Sequence, residues 1–410
     1  MTPRLITTIW TAPMDSRADI IKQTKAFQCL ECGKCTANCP VSRVNPSFSP
    51  RSMLSRLLIG DLESIMSDDK LFTCLTCGLC RERCPSDVRY TDLMMLTRIE
   101  SFEVGHKGEL SHGGILQEIM RIHTAPKMQQ ERGNWLDGKL KTAEKGEILY
   151  FAGCQPYFDS ALADIGIEST KIGRSAVKIL NALGVTPVVL PNERCCGHDL
   201  LWIGDEENFK LLMEHNLKAV KESGARKLVT SCAECYRTFA KDYAARAGGL
   251  DFEVQHITQF LAEHLDELKA LLGENGSKVT YHDACGLGRH MGVYDAPREV
   301  LDSIPGLDFR EMKHSGANGV CCGTSAWLHC DQYSKQIQIG RLKEAEATGA
   351  ETVVTTCPKC YIHFTCASNE KGCAGTEVKV EVKDLCVLIA ESIKGDSKAG
   401  KSGRKKSSEG

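Results

Sequence analysis

Eight cysteines near the amino terminus constrain this chain more than any other feature, because they form two runs with identical spacing. The first run is Cys-x2-Cys-x2-Cys-x3-Cys-Pro over residues 29–40, and the second repeats it over residues 74–85. Two-residue gaps let one loop place three thiolates around one face of an iron-sulfur cube, while the fourth cysteine of each run reaches the other cube. The spacing therefore predicts two cubane [4Fe-4S] clusters. The predicted ligands are Cys29, Cys32, Cys35 and Cys84 for the first cluster, and Cys74, Cys77, Cys80 and Cys39 for the second.

Two structural zinc sites with four thiolates each are the alternative for these runs. Zinc sites of that kind use Cys-x2-Cys pairs separated by longer gaps. Two compact runs, each followed by a proline, fit that pattern poorly and favour iron.

A second cysteine pattern occurs twice in the rest of the chain. ARKLVTSCAECYRTF (225–239) matches AETVVTTCPKCYIHF (350–364), and RCCGHD matches VCCGTS. This repetition predicts two homologous modules side by side. Five thiolates in each copy exceed the needs of a tetrahedral zinc or a simple cubane, so a larger or less regular centre is expected. Redox-active or structural cysteines without metal are the open alternative. The cysteines are Cys154, Cys195, Cys196, Cys232 and Cys235 in the first copy, and Cys285, Cys321, Cys322, Cys357 and Cys360 in the second.

The arrangement of predicted strands and helices gives the fold class. Short β-rich runs lead into Cys154 and Cys232 and alternate with amphipathic helices, one of which begins after Asp205 and ends at Gly224. That alternation is typical of an α/β fold. We therefore expect an α-helical, ferredoxin-like two-cluster domain followed by two tandem α/β modules. The expected ranges are 1–105 for the cluster domain, 106–146 for a linker, 147–275 and 276–394 for the modules, and 395–410 for a disordered tail.

Composition narrows the function classes and the compartment. The chain has 22 cysteines among 410 residues and a net charge of only -2. That charge gives no reason to expect a nucleic-acid partner. The cysteines occur in metal-type motifs, and no signal-peptide pattern or apolar run of about 18 residues is present. We expect reduced thiols in the cytoplasm, no membrane span in this chain, and any membrane association through a partner subunit.

The same motifs resemble a known family. FAGCQP, ERCCGHD, YHDACGLGRHMGVYDAPREVL and the two Cys-x2-Cys-Tyr ends resemble the cysteine-rich CCG domains of heterodisulfide reductase. CLECGKCTANCP, SPRSMLSRLLIGDLESIM and CLTCGLCRERCPSDV resemble the ferredoxin-like subunit of that enzyme. Residues 25–390 together resemble its D-type subunit, in which the B and C subunits are fused. Iron-sulfur subunits of glycolate oxidase, anaerobic glycerol-3-phosphate dehydrogenase and lactate-utilisation proteins are similar in plan.

The resemblance implies cofactors, reaction and partners. Each complete CCG motif is expected to bind a noncubane [4Fe-4S] cluster through its five cysteines, and the two clusters are expected to flank a small-molecule disulfide. The cubanes would pass single electrons to this pair, which reduces a disulfide such as the coenzyme M-coenzyme B heterodisulfide to two thiols. The electron donor would be a soluble flavoprotein or a membrane cytochrome b. The alternative is a non-catalytic relay that carries electrons from a flavin-dependent dehydrogenase to quinone or another carrier.

Several residues outside the cysteine motifs are also candidates. His198, His282 and His290 lie next to the repeated cysteines and are predicted proton donors to a departing thiolate, although such histidines also serve as hydrogen-bond partners. Arg237, Arg289 and Lys359 are candidates for steering anions, with solvated surface charge as the alternative. The remaining cysteines fall outside every motif: Cys330, Cys366, Cys373 and Cys386.

Overall fold

The computed structural model describes residues 17–369 and 378–395. Its amino-terminal domain consists of short helices around the two cysteine runs and one longer helix, α8. A short 3₁₀ turn (Ala26–Gln28) precedes the first run. The helices are α1 (Arg17–Gln23), α2 (Lys34–Asn38), α3 (Pro40–Val44), α4 (Pro50–Ile59), α5 (Leu62–Met66), α6 (Lys70–Thr73), α7 (Leu79–Glu82) and α8 (Tyr90–Glu103).

The connector between the two cysteine runs is helical because its sequence contains start and stop signals. The hydroxyl of Ser49 accepts a hydrogen bond from the backbone N–H of Ser52 at 3.2 Å, which caps α4. Gly60 ends the helix with a φ of 103°, a conformation that residues with a Cβ rarely adopt. Arg98 joins this domain to the first module, since its buried guanidinium donates to the carbonyl of Cys74 at 2.7 Å and to that of Trp202 at 3.0 Å.

Residues 106–146, predicted to be a linker, pack against the rest of the protein. They contain the helix α9 (Ile115–Ile122) and 3₁₀ turns at Ser111–Gly114 and Arg132–Trp135. Leu116, Met120 and Trp135 are buried. This segment therefore forms part of the wall of the first module, while the domain boundaries themselves remain predictions.

The first module is a three-stranded parallel sheet in the order β1-β2-β3, surrounded by helices. A π-helical turn (Thr238–Tyr243) joins α14 to α15, and a 3₁₀ turn (Ala163–Ile165) follows α10. The helix predicted after Asp205 is confirmed as α13, with Asp205 as its cap and Gly224 at its end. The elements are β1 (Ile148–Phe151), α10 (Gln155–Ala161), α11 (Thr170–Ala182), α12 (His198–Ile203), α13 (Glu206–Ser223), β2 (Lys227–Thr230), α14 (Ala233–Arg237), α15 (Ala244–Ala247), β3 (Glu253–His256), α16 (Ile257–Glu263) and α17 (Leu265–Leu271).

The second module has a four-stranded parallel sheet in the order β5-β4-β6-β7. A 3₁₀ turn (Gly316–Asn318) precedes its paired cysteines. Apart from Gly395, the predicted tail 395–410 lies outside the described residues. The elements are β4 (Lys278–Tyr281), α18 (Asp295–Asp302), β5 (Asp308–Arg310), α19 (Gln332–Glu346), β6 (Thr352–Thr355), α20 (Pro358–Asn369), β7 (Glu381–Asp384) and α21 (Leu385–Ser392).

The two modules pack in a reciprocal way that follows from their common origin. Helix α11 of the first module contacts α21 of the second, and α16 of the first contacts α18 of the second. The two pairs correspond, because α18 matches α11 and α21 matches α16 in the repeat. Inside each module a tyrosine hydroxyl bonds to the hydroxyl before the Cys-x2-Cys pair: Tyr150 to Ser231 at 2.8 Å and Tyr281 to Thr356 at 2.9 Å. The predicted α/β class, with a helical domain followed by two tandem modules, is confirmed.

Candidate iron-sulfur sites

The cysteines of the first run line one cavity in the amino-terminal domain. Cys29, Cys32, Cys35 and Cys84 share this cavity with Cys80, Leu54 and Tyr90. Cys32 is exposed, so the site reaches the protein surface. Cys84 of the second run therefore lies with the first run, but Cys80, which is assigned to the other cluster, lines the same cavity, so the crosswise ligand assignment stays a prediction.

The cysteines of the second run lie deeper. Cys39, Cys74 and Cys77 are each 8% exposed. Burial raises the pKa of Cys80 well above its ordinary value, and the neighbouring Cys74, Cys77 and Cys39 raise it further. These four thiols lie near one another, and their close approach becomes favourable once a metal centre takes the thiolate charge.

Both loops use the same backbone device. Glu31 and Thr76 occupy corresponding positions and have left-handed φ values of 50° and 47°. Their N–H groups donate to the sulfurs of Cys29 and Cys74, each at 3.3 Å. Such backbone donors orient a sulfur ligand and stabilise its negative charge. Each loop is therefore shaped to present thiolates.

The first module gathers its five cysteines at the carboxyl ends of β1 and β2. Cys195 accepts a hydrogen bond from the N–H of Gly197 at 3.3 Å, and the thiols of Cys235 and Cys196 lie 3.4 Å apart. Cys154 lies at the start of α10 and contacts Cys195, while Cys232 accepts from the N–H of Cys235 at 3.4 Å. All five sulfurs thus belong to one connected group.

The second module repeats this group at the ends of β4 and β6. The sulfurs of Cys285 and Cys321 are 4.0 Å apart, and Cys322 contacts Cys360. Cys360 in turn contacts Cys357. Gly323, which follows the paired cysteines, has a φ of 92°, and a Cβ there would lie 2.9 Å from the carbonyl oxygen of Ser334. The glycine is needed for a left-handed turn packed against α19.

The two five-cysteine groups face each other. The thiol of Cys232 in the first module and that of Cys357 in the second, the first cysteines of the two Cys-x2-Cys pairs, lie close enough to interact. Beside them, Lys359 pairs with Glu234 at 2.7 Å and also with Asp199. Burial lowers the pKa of Lys359, but the two carboxyl groups outweigh it and raise that pKa well above its ordinary value. A largely buried cluster of one ammonium and two carboxylates, which we call the Lys359 clamp, therefore connects the two cysteine groups.

The second cysteine run adjoins the second module. A hydrogen bond to Cys321, opposed by burial and assisted by the charge of Arg289, lowers the pKa of Cys77. The Nε of Arg289 donates to the carbonyl of Cys77 at 2.6 Å. Burial lowers the pKa of Arg289, yet Cys77, Cys285 and Cys321 together raise it above its ordinary value. One buried cation thus serves both thiol groups.

Two observations fit these groups to iron-sulfur clusters. First, buried donors that have no partner among the described residues lie around them: Nη1 of Arg132 beside Cys154, Nε2 of His282 near Cys322 and Nη2 of Arg289. Buried donors are rarely left unpaired in native proteins. Second, a Cβ at Gly153 would approach the sulfur of Cys235 to 3.0 Å, so the loop has no room for a side chain. Sulfide-rich centres accept hydrogen bonds from such donors.

The three candidate histidines are all held by neighbours. His198 shares a hydrogen bond with the hydroxyl of Thr238 at 3.0 Å, and burial lowers its pKa well below the ordinary value. His282 accepts from Nε of Arg341 at 3.2 Å, and burial followed by the charge of Arg341 lowers its pKa to about 3. His290 bonds to the carbonyl of Thr76 at 2.8 Å. Each therefore has a structural role, and their catalytic role remains a prediction.

One further group of possible metal ligands and the cysteines outside the motifs remain to be placed. His198, Asp199 and Glu234 form the one group of three potential metal ligands found within the described ranges, but the ammonium of Lys359 already pairs with both carboxylates. Of the cysteines outside the motifs, Cys386 is buried, Cys330 and Cys366 line a separate cavity, and Cys373 lies outside the described residues.

Two contributors to these sites were not predicted from sequence. Arg132, from the presumed linker, donates to the carbonyl of Gly153 and pairs with Glu193 at 2.8 Å beside Cys154. His363 lies 3.6 Å from the sulfur of Cys322 through its Nδ1. The repeat could have indicated His363. His198 and Thr238 of the first module correspond to Thr324 and His363 of the second module. Each module therefore has a hydrogen-bonded His-Thr pair, with the two residue types at exchanged positions.

Two four-thiol groups and two five-thiol groups on this scaffold define an iron-sulfur oxidoreductase subunit. Residues 28–89 match the 4Fe-4S dicluster domain family, and residues 148–240 and 279–365 match the cysteine-rich domain family. The chain belongs to the family of D-type heterodisulfide reductase subunits. It is 30% identical over 396 residues to the D-type subunit of the dihydromethanophenazine:CoB-CoM heterodisulfide reductase of Methanosarcina mazei, an alignment that covers 89% of this chain and 93% of that protein.

Other relatives extend the comparison. The corresponding D-type subunit of Methanosarcina acetivorans is also 30% identical, with the same coverage of 89% and 93%. The EtfAB:quinone oxidoreductase of Syntrophomonas wolfei is 29% identical over 282 residues, which are 64% of this chain and 38% of that protein. The resemblance drawn from the cysteine motifs is therefore confirmed. Among the described helices, none has the length and apolar character needed to cross a bilayer.

Proposed function

We propose that this chain is the catalytic subunit of a heterodisulfide reductase-like complex that reduces a small-molecule disulfide, such as the coenzyme M-coenzyme B heterodisulfide, to two thiols. The reaction consumes two electrons and two protons for each sulfur-sulfur bond that breaks. When bound, two cubane and two noncubane [4Fe-4S] clusters supply one-electron carriers for this chemistry. The protein contributes their ligands, their spacing and the surroundings of the cleaved bond.

The proposed ligands are those of the sequence motifs. Cys29, Cys32, Cys35 and Cys84 hold one cubane, and Cys74, Cys77, Cys80 and Cys39 hold the other. The five cysteines of each module hold the noncubane centres. The gathering of these thiols into four connected groups supports the assignment.

The contact between Cys232 and Cys357 is the observation that carries the proposal. It joins two five-thiol groups, and each belongs to a different module. A reaction that needs two electrons is served by two neighbouring one-electron sites, whereas a simple relay needs only one route through the protein. The ion pairs of Lys359 with Glu234 and Asp199 stabilise the packing of the two cysteine groups against each other.

The order of the groups supports a direction for electron flow. The exposed Cys32 places the first run at the surface, where a partner subunit delivers electrons. The second run is buried and contacts Cys321, so it connects the surface to the second module. The partner in this proposal is a soluble flavoprotein or a membrane cytochrome b. The complex is cytoplasmic, with any membrane association through that partner.

Protons must reach the two departing sulfurs. His282 is the best placed of the three candidates to hold a departing sulfur through a hydrogen bond from its neutral ring, because its Nε2 is buried without a partner among the described residues and its ring lies beside Cys322. His198 and His290 are engaged through one ring nitrogen each. In this proposal they orient neighbouring groups or pass protons toward the same region.

Metal analysis and turnover test the proposal. Anaerobically purified protein is expected to contain about sixteen irons and as many acid-labile sulfides per chain. About eight irons would remove the module centres and with them the active site. Reduced viologen should then drive consumption of the disulfide with two thiols formed per molecule. Full iron content with no disulfide consumption would contradict the enzymatic function.

A relay function is the second candidate, and the similarity to an EtfAB:quinone oxidoreductase favours it. In that case the chain passes electrons from a flavin-dependent dehydrogenase of the glycolate, glycerol-3-phosphate or lactate type to quinone or another carrier. A variant with Cys357→Ser separates the two functions. Loss of disulfide reduction, with rapid reduction of the cubanes kept, indicates the reductase.

A further inference from the structure

His123 belongs to the segment 106–146 and has no role in the function proposed so far. It directly follows α9 and is only 1% exposed. Two consecutive residues of the first module hold it. Nη1 of Arg194 donates to its carbonyl at 2.5 Å, and the backbone N–H of Cys195 donates to Nδ1 of its ring at 3.0 Å. The imidazole is therefore fixed against a cysteine of the first five-cysteine group.

The hydrogen bond from Cys195 determines which ring nitrogen of His123 carries the proton. A backbone N–H can only donate, so Nδ1 of the ring must present its lone pair. A ring that accepts at Nδ1 is neutral and carries its single N–H proton on Nε2. His123 is therefore a hydrogen-bond donor through Nε2.

Nε2 of His123 is buried and has no hydrogen-bond partner among the described residues. A buried donor without a partner costs free energy and is rare in native proteins. The ring packs against Tyr157, with 4.4 Å between the ring centroids, and the hydroxyl of Tyr157 is already bonded to Gln130. Tyr157 lies on α10, which begins directly after Cys154. The ring with the unpaired donor thus contacts both the backbone of Cys195 and the helix next to Cys154.

The second module has the same arrangement at its own cysteines. Nε of Arg341 donates to Nδ1 of His282 at 3.2 Å, and a guanidinium, like a backbone amide, can only donate. Nε2 of His282 therefore carries the ring proton, and it too is buried with no partner in the part of the chain that the structure describes. Each five-cysteine group thus has one imidazole with its proton fixed on an unpaired Nε2.

The two modules obtain this donor from different places in the chain. His282 directly follows β4, and Phe151 occupies its repeat position in the first module. Conversely, Val320 of the second module stands at the repeat position of Arg194, which holds His123. The first module therefore obtains its imidazole from outside the repeat. An arrangement reached by two different routes is not a remnant of the duplication, and this argues that it has a function.

The chemistry of the neighbouring group indicates what the unpaired N–H bonds to. Sulfurs of iron-sulfur centres accept hydrogen bonds, and such bonds are one of the factors that set the reduction potential. A reduced centre carries one more negative charge than an oxidised one. An N–H donor therefore stabilises the reduced form more than the oxidised form, and it raises the reduction potential.

We infer that His123 donates a hydrogen bond through Nε2 to a sulfur at the iron-sulfur centre of the first module, as His282 does in the second. This inference rests on the proposed function, which places a centre in each module. It adds a residue from outside the cysteine repeat that raises the reduction potential of the first of these centres.

Two substitutions separate the roles of the two ring nitrogens. The side-chain amide of asparagine reaches the position of Nδ1, so His123→Asn can still accept from Cys195 but has no donor at the position of Nε2. The amide of glutamine reaches the position of Nε2, so His123→Gln keeps a donor there and loses the acceptor. His282→Asn is the matched variant in the second module.

Redox titration of the anaerobic holoproteins, followed by electron paramagnetic resonance, measures the first effect. At a fixed potential, His123→Asn should increase the ratio of oxidised to reduced form about tenfold for one module centre, which is about 59 mV for a one-electron couple. His123→Gln should change this ratio by about threefold at most, because a donor remains. His282→Asn should shift the other module centre. Unchanged centres in His123→Asn with native iron content, or a shift of the same centre by both asparagine variants, overturn the inference.

Pulsed electron paramagnetic resonance detects the hydrogen bond itself. In protein labelled with 15N-histidine, each module centre should show one nitrogen coupling. His123→Asn should remove one coupling, and His282→Asn should remove the other. His264→Asn is the control, because Nδ1 of His264 bonds to the carbonyl of Phe260 at 2.8 Å on α16, and it should change no coupling and no potential.

The measurement on the unsubstituted protein keeps the inference falsifiable if His123→Asn loses iron. Absence of a nitrogen coupling at one module centre would place the N–H of His123 on the ring face of Tyr157 and overturn the inference. About eight irons per chain would overturn both the inference and the proposed function. Full iron content with both couplings but no disulfide consumption would refute the enzymatic function alone.

Discussion

Glu234 and Lys359 occupy the same position in the two modules, and their side chains form an ion pair of 2.7 Å with each other. Cys232 and Cys357 also correspond, and their thiols lie close enough to interact. When corresponding residues of a duplicated chain contact each other, the local two-fold axis passes between them. The duplication has therefore placed two copies of one thiol group on either side of an axis, with opposite charges at the point of contact.

Reversal of these charges tests the importance of the contact. Glu234→Lys or Lys359→Glu alone leaves like charges buried together, and each should lower the free energy of unfolding by about 3 kcal/mol or more. The double reversal should recover much of this loss, because the pair is restored with exchanged sides. Recovery should be incomplete, since Asp199 would then face a second carboxylate at position 359. Denaturant unfolding of the holoproteins measures the coupling, and additive effects would contradict it.

Exchanging all the charged residues of this cluster between the modules gives a more stringent control. Ser325 corresponds to Asp199, so adding Asp199→Ser and Ser325→Asp to the double reversal moves the whole charge set to the other module. This fourfold variant should be more stable than the double variant. A lower stability would indicate that the clamp depends on local packing rather than on the symmetry of the pair.

The crosswise ligand assignment predicts different effects for two single substitutions. Cys39→Ser should disturb the buried group that contacts Cys321, and Cys84→Ser should disturb the group at the surface. Only the first should weaken the magnetic interaction between a cubane and the second module's centre, as seen by electron paramagnetic resonance. Cys386→Ser, a buried cysteine outside every motif, is the control and should change neither signal. The opposite pattern for Cys39 and Cys84 would contradict the assignment.

Sequence spacing could predict the cysteine groups because local geometry sets them. A loop with two-residue gaps places its own thiolates, and the repeat shows which distant cysteines correspond. The strands before Cys154 and Cys232 were predictable for the same reason, as was the helix between Asp205 and Gly224. The start of α18 is harder to predict: Asp295, a residue type that often caps helices, is instead the first helical residue, and Tyr294 precedes it.

Contacts between distant segments could not be predicted from these patterns. Arg132 reaches Glu193 only because residues 106–146 pack against the first module, and a polar, aperiodic segment gives no sign of that. The left-handed backbone of Ala326, Trp327 and His329 also could not be predicted, because residues with a Cβ rarely adopt it. The ion pair between Glu234 and Lys359 could not be predicted without knowing how the two modules pack. The sequence does show opposite charges at this one position of the repeat.

Arg289 is predicted to tune the centres on both sides of it. Its charge interacts with Cys77, Cys285 and Cys321, and a reduced cluster carries one more negative charge than an oxidised one. Arg289→Met should therefore lower the reduction potentials of the second cubane and the second module's centre by tens of millivolts, on the order of 60 mV for each 1.4 kcal/mol. Arg289→Lys keeps the charge and should give a smaller shift. Redox titration followed by electron paramagnetic resonance measures both, and equal shifts would exclude a charge effect.

Buried neutral histidines should make the protein less stable in mild acid. Burial lowers the pKa of His256 to about 4 from 6.5, and its Nε2 bonds to the carbonyl of Thr356 in the other module at 3.1 Å. Between these two pH values the unfolded chain binds a proton that the folded chain does not, so stability falls as the pH drops below 6.5. From pH 8 to 5.5 this histidine alone should cost about 1.4 kcal/mol of unfolding free energy. His256→Gln cannot titrate and should lose correspondingly less over the same range, with iron content measured in parallel to confirm intact centres. An identical pH dependence in both proteins would show that His256 is not held neutral.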